Sequence, residues 1–262
     1  MPQRGFFTDT TLCIGCKACE VACKEWNQLP SDGFSFTGMS YDNTVELGAS
    51  TWRHVAFIER PVALGGQETG LGAFSWIFMS DVCKHCARAG CLESCPTGAI
   101  VRTEFDSVFV QPDVCNGCGY CVVSCPFGVI DRRESDGLAW KCTLCYDRQK
   151  DDLEPACAKA CPTDSIKFGD LLELRVIAEQ RVERLHELGV KEAYLYGDDP
   201  AAQPGTEGLN AFFLLVDKPE VYNLPSNPVA PAKLAGTAWL SLAVAGLGMV
   251  AAAATAVWSS RK

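Results

Sequence analysis

The chain has 262 residues, with 23 Lys and Arg against 32 Asp and Glu, a formal charge of −9. An acidic chain with no basic, aromatic-laced stripe excludes strong electrostatic binding to nucleic acid. Its 16 cysteines decide the class.

They fall into four groups of four with none left over, at 13/16/19/23, 83/86/91/95, 115/118/121/125 and 142/145/157/161. Tight clusters in multiples of four argue for metal centres before disulfides. Cysteines two residues apart bridge each other poorly, and a chain this long needs no staples to build a core.

In chain order, "MPQRGFFTDTT" has no apolar run, so no Sec-type signal is expected, and a lone Arg4 is no twin-arginine signal. Motif I, "CIGCKACEVACKEWN", follows. "PSDGFSFTGMSYDNT" reads as loop, and "GGQETGLG" as a loop rather than a nucleotide cradle. "TWRHVAFIERP" and "GAFSWIFMSD" are rich in β-branched and aromatic residues and predict a pair of strands. Between motifs II and III, residues 99–103 and 107–110 predict a small hairpin. "CPTGAI", "CPFGVI" and "CPTDSI" repeat one unit at the ends of motifs II, III and IV, whereas Lys24 follows the last cysteine of motif I. The chain is therefore expected to continue as helix through "CKEWN".

Residues 171–188 predict an amphipathic helix with Asp170 as N-cap and Gly189 as stop. Its apolar face is read as Leu171, Leu174, Ile177, Val182, Leu185 and Leu188. "LNAFFLLVD" reads as a buried strand and "KPEVYNLPSNPVAPAK" as an extended linker. Residues 234–258 carry no ionisable side chain. At helical rise they span roughly 37 Å, more than the roughly 30 Å hydrocarbon core. Trp239 and Trp258 fall near the two ends, as interfacial aromatics do. Ser241/Ala245 and Gly248/Ala252 are small-residue pairs that suit partner membrane helices. Lys218 and Lys233 before the span balance Arg261 and Lys262 after it, so charge assigns no topology.

Motifs I and III read C-x2-C-x2-C-x3-C, a spacing at which three thiolates wrap one corner of a cubane and the fourth reaches another cluster. Motif II inserts two residues and motif IV nine, and both keep C-x3-C-P. Four [4Fe–4S] clusters are expected. Their sixteen thiolates against four oxidised cores would add a charge of about −8. Zinc is the chemical rival, since "CTLC" alone could be half of a four-cysteine site. Spacing leaves the pairing of motifs open: II fits with III, and III with IV. His85, inside motif II, is read as a loop residue, a charge or hydrogen-bond donor beside a cluster, or an extra ligand. Ile100, Ile130 and Ile166 are expected to pack beside clusters. His54 and His186 read as strand and helix residues.

The motifs "CIGCKACEVACKEWN", "CKHCARAGCLESCPTGAI" and "CNGCGYCVVSCPFGVI", with "DKPEVYNLP" before a single apolar tail, resemble the four-cluster ferredoxin subunits of molybdopterin oxidoreductases. Trp26-Asn27 and the tail narrow the resemblance to iron–sulfur (beta) subunits of membrane-bound formate dehydrogenases. The resemblance implies that motif I pairs with IV and II with III. Cluster 1 would take Cys13, Cys16, Cys19 and Cys161, and cluster 2 Cys23, Cys142, Cys145 and Cys157. Cluster 3 would take Cys83, Cys86, Cys91 and Cys125, and cluster 4 Cys95, Cys115, Cys118 and Cys121.

It implies an α+β fold of two intertwined two-cluster modules with inserted strands. Residues 1–170 would form that domain, 171–232 a covering helix, strand and linker, and 233–262 a single transmembrane helix and tail. Electrons would come from a molybdenum- or tungsten-pterin catalytic subunit and pass to a membrane cytochrome b or other quinone-reactive subunit. No catalytic residue is expected in this chain. The globular part would lie on the outer face of the cytoplasmic membrane, with a cytoplasmic C-terminus. The competing readings are the equivalent subunit of a hydrogenase or another molybdoenzyme, and a membrane-tethered zinc or scaffold protein. A free soluble polyferredoxin conflicts with the apolar tail.

Overall fold

The computed structural model describes residues 3–33, 36, 38, 44, 46–61 and 74–260. The stretch 65–72 and most of the loop read at 30–44 lie outside the described residues.

The N-terminal half comprises β1 (Arg4–Asp9), α1 (Ala18–Trp26), β2 (Arg53–Pro61), β3 (Phe74–Val82), α2 (Gly90–Glu93), β4 (Ile100–Arg102), β5 (Val108–Val110) and α3 (Tyr120–Val123). It continues with β6 (Asp131–Arg132), β7 (Ala139–Trp140), α4 (Tyr146–Lys150), α5 (Ala156–Lys159), β8 (Ile166–Asp170) and α6 (Leu171–Glu187). Last come β9 (Tyr194–Tyr196), β10 (Ala211–Leu215) and α7 (Ala235–Ser260).

A four-stranded sheet in the order β8-β1-β10-β9 forms the frame. β1 runs parallel to β10, with Phe7 opposite Phe212, and antiparallel to β8. The two-residue alternation of strands divides this sheet chemically. Phe7, Phe212 and Leu214 point to α6 and pack with its Leu171, Leu174, Ala178 and Leu185. Phe6 and Ala211 point the other way, into a core shared with Cys19, Cys23, Cys142 and Cys157. One face of the sheet is thus closed by a helix and the other by cysteines.

The expected strand pair is present: β2 and β3 are antiparallel from Arg53↔Val82 to Pro61↔Phe74. The small hairpin is β4–β5. α1 runs through Lys24 to Trp26. Asp170 caps α6 by accepting from the amides of Leu172 and Glu173. The apolar face of α6 is shifted from the one read in the sequence. Ala178 is buried, whereas Ile177 is 42% and Leu188 64% exposed, because the row that meets the sheet advances by four residues from Leu174. The proline-rich segment is anchored rather than simply laid over the surface. It forms short 3-10 turns at Pro219–Tyr222 and Pro231–Leu234 and buries Tyr222 and Leu224 beside β10. α7 is long and apolar enough to cross a membrane, and its apolar stretch is unburied within the chain.

Candidate metal centres

The first C-x-x-C loop of each of the four motifs shares one backbone device. The residue before the second cysteine is left-handed in each: Gly15 (φ 68°), His85 (43°), Gly117 (69°) and Leu144 (58°). The fourth residue of each C-P-x-G/D unit is left-handed too, at Gly98, Gly128 and Asp164, which gives the Gly/Asp of the repeat a physical reason. At Gly117 a Cβ would also lie 2.5 Å from the carbonyl oxygen of Gly137, so only glycine fits.

These turns gather the thiols into cages. Cys13, Cys16, Cys19 and Cys161 line one cavity with Ser80 and Ile166. Cys23, Cys142, Cys145 and Cys157 line a second with Phe6, Trp52 and Arg53, and all four of these cysteines are buried. Cys83, Cys86, Cys91 and Cys125 line a third with His85, Ile130 and Lys141. Cys121 feels the charges of Cys115, Cys118 and Cys95, which marks a fourth group. Ile100 is buried in the cluster that holds Cys91, Cys95, Cys115 and Cys121. The groups follow one another through the fold: α1 carries both Cys19 and Cys23, Cys142 feels Cys83, and Cys91 feels Cys121.

Burial first, and then the neighbouring thiols, push most of these groups up. The Cys145 thiol rises to about 12 by burial and the charge of Cys157. Cys91 also reaches about 12, by burial and by Cys83, although Lys141 pulls it down. Cys121 rises to about 11 by burial, Cys115 and Cys118. At Cys95 burial is outweighed by the Thr97 hydroxyl and by the amides of Ile100, Thr97 and Ala99, which hold the thiol below its ordinary value. Packed thiols that repel one another as anions suit a cationic core that keeps them ionised.

Two buried donors without a partner among the described residues line these cavities: Arg53 Nε at the second and His85 Nε2 at the third. Sulfide of a cluster would accept from them. Burial, then Lys141 and Arg102, hold His85 far below its ordinary range. Its Nδ1 accepts from the Val108 amide at 3.1 Å, so the neutral ring carries its proton on Nε2. Among the described residues no three His, Cys, Asp or Glu side chains converge as the ligands of a single metal ion do. His54 and His186 lie in β2 and α6.

Sequence reading missed two cations buried beside the cages, Arg53 and Lys141. Arg53 Nη2 donates to Cys157 Sγ at 3.2 Å, and Nη1 to the Ser80 carbonyl at 3.2 Å. Lys141 Nζ donates to the carbonyls of Val108 and Cys142. The available signal was a basic residue at the start of a β-branched and aromatic strand, and another directly before a cysteine run.

Fold and cages define an iron–sulfur electron-transfer protein. A 4Fe-4S dicluster domain matches residues 12–99 and a second matches residues 74–171, so the chain carries four [4Fe–4S] clusters and moves electrons through them. It is 41% identical over 224 residues to a formate dehydrogenase iron–sulfur subunit of Haemophilus influenzae, covering 84% of this chain and 68% of that one. It is 38% identical over the same length to the nitrate-inducible formate dehydrogenase iron–sulfur subunit of Escherichia coli, covering 84% and 71%. The B subunit of the anaerobic dimethyl sulfoxide reductase of E. coli is 34% identical over 176 residues, covering 66% and 76%. The chain belongs to the family of formate dehydrogenase iron–sulfur subunits.

Proposed function

We propose that this chain is the wire of a membrane-bound formate dehydrogenase. It accepts electrons singly from a molybdenum- or tungsten-pterin catalytic subunit and hands them to a cytochrome b or other quinone-reactive membrane subunit. Catalysis resides in the partner. The ligand sets are those of the four thiol groups: Cys13/16/19/161, Cys23/142/145/157, Cys83/86/91/125 and Cys95/115/118/121. Residues 1–170 make the four-cluster domain as two interlocked modules, with 171–232 as its cover and 233–262 as its anchor.

The observation that carries the wire reading is the exposure pattern along the line of cages. Cys16 in the first and Cys118 in the fourth are exposed, while all four cysteines of the second are buried. Electrons would therefore enter and leave at the ends. The turn that starts α7 supports the direction. A Cβ on Gly90 of α2 would lie 3.0 Å from Pro231 Cδ, so the anchor begins beside the helix that carries Cys91. The third and fourth cages then lie toward the membrane and the first toward the catalytic subunit. Formate as donor rests on the relatives alone. The globular part is proposed on the outer face of the cytoplasmic membrane, with the C-terminus in the cytoplasm.

Purification of the intact complex tests this reading. Iron and acid-labile sulfide should be no less than four clusters require, and formate should drive dye reduction. An intact complex reduced by hydrogen and not by formate would move the chain to a hydrogenase, and zinc without iron would end the wire reading. Protease access in intact spheroplasts tests the sidedness.

A further inference from the structure

Arg53 is 1% exposed and Lys141 2% exposed, and among the described residues neither forms a salt bridge with a carboxylate. A buried cation without a counter-ion is costly. Lys84, equally buried, shows the ordinary solution: its ammonium pairs with Asp81 at 2.5 Å. Among the described residues, the anions at hand for Arg53 and Lys141 are the cages.

Their positions are between cages. Arg53 reaches Cys157 of the second cage at 3.2 Å. Through its 3.4 Å contact with Ser80 Oγ, itself 3.2 Å from Cys19 Sγ, it also reaches the first. The Phe6 ring lies 4.8 Å from its guanidinium carbon and closes that side from water. Lys141 follows the same plan one step on. It holds the carbonyl of Cys142 in the second cage and lines the third cavity together with Cys83, Cys86, Cys91 and Cys125. The donors that reach the fourth cage are neutral, the Thr97 hydroxyl on Cys95 and the Ala139 amide on Cys115.

We propose that Arg53 and Lys141 are potential-setting residues, fixed cations wedged between successive cages that raise the reduction potentials of the second and third clusters above that of the fourth. The inference rests on the ligand sets proposed above. Each reduction adds one electron, delivered by the neighbouring cluster, and no proton moves. The added negative charge falls beside a cation in a low-dielectric interior, where attraction is little screened. The reduced form is therefore favoured in the second and third clusters. Electrons would dwell in the middle of the line and leave the fourth cluster readily.

An EPR-monitored redox titration of the holo-protein carrying Arg53→Met, Arg53→Lys or Lys141→Met tests this. Arg53→Met should lower the reduction equilibrium constant of the second cluster at least tenfold, about 59 mV for one electron, and leave the fourth unchanged. Lys141→Met should do the same to the third, and Arg53→Lys should restore most of the loss at the second. Unchanged potentials in variants with full iron content would overturn the proposal. So would a drop in Arg53→Lys as large as in Arg53→Met. If Arg53→Met fails to hold iron, Arg53→Lys and Lys141→Met decide the outcome on the same criteria. Cysteine variants, read by which EPR signal disappears, check the ligand sets separately, so failure of that reading is distinguishable.

Discussion

The indole N–H of Trp26 donates to Asp147 Oδ2 at 2.8 Å across 121 residues of sequence. The Arg148 guanidinium stacks on the same ring at 4.2 Å. This contact fastens the end of α1 to the start of α4, the two elements whose neighbouring cysteines, Cys23 and Cys142/Cys145, line the second cage.

Cys23→Ala should therefore abolish the cluster proposed to lie with Cys142, Cys145 and Cys157, and spare the one held by Cys13, Cys16 and Cys19. EPR of the dithionite-reduced variant should show one signal missing. Loss of the signal that a Cys16 variant also loses would place Cys23 in the first cage instead and sink the interlocked assignment. Trp26→Phe keeps an aromatic ring but removes the donor. It should loosen the α1–α4 contact and leave all four signals in place.

The N-cap of α6 offers a test of the frame apart from the cages. Asp170 accepts from the Leu172 amide at 2.9 Å and the Glu173 amide at 3.4 Å, two donors that a helix start otherwise leaves unpaired. Asp170→Ala should cost about 1 kcal/mol, a fall in melting temperature of roughly 2–4 °C for a chain of this size. Asp170→Asn should recover most of it. A drop beyond about 10 °C would mean that Asp170 does more than cap.

The cysteine groups, the β2–β3 and β4–β5 hairpins, α6 and α7 were legible because each rests on local rules: ligand spacing, β-branched runs, a cap and stop, and length without charge. What the sequence hid is long-range. Nothing local says that β10, more than 200 residues on, lies parallel to β1 in the centre of the frame. The same limit hid Arg53 and Lys141, whose meaning comes from cages assembled out of distant loops. Ile177 and Leu188 were read inward because an ideal helical stripe cannot tell which of two adjacent rows will meet the sheet.

Removal of iron should act unevenly. Cys19, Cys23, Cys83, Cys142 and Cys157 are themselves members of the largest core, where they pack with Trp52, Val55 and Leu144. The core between α6 and the sheet contains no cysteine. Metal binding to such a site is part of the folding free energy. Stripping the clusters under anaerobic chelation should abolish amide protection across the cage loops first, and keep it longest in β10 and α6, as hydrogen exchange resolves by segment. Simultaneous loss in both regions would show that the sheet and helix have no stability without the cages.

The anchor can be tested where the globular part ends. Lys233 bonds the carbonyl of Pro204 and reaches Glu207 Oε1 at 3.3 Å, and Glu207 is also held by Arg88 at 3.3 Å. These contacts stop at the start of α7, whose large apolar residues Leu240, Leu247 and Val250 are exposed along its length. A chain ended after Leu234 should keep its iron and its EPR signals, because every thiol and every contact of the cages precedes that point. It should partition into the soluble fraction when expressed without its partners, whereas the full chain should stay with membranes through a carbonate wash. A shortened chain that still resists carbonate extraction would show that α7 is not what holds it, and the exposed apolar row would then need another explanation.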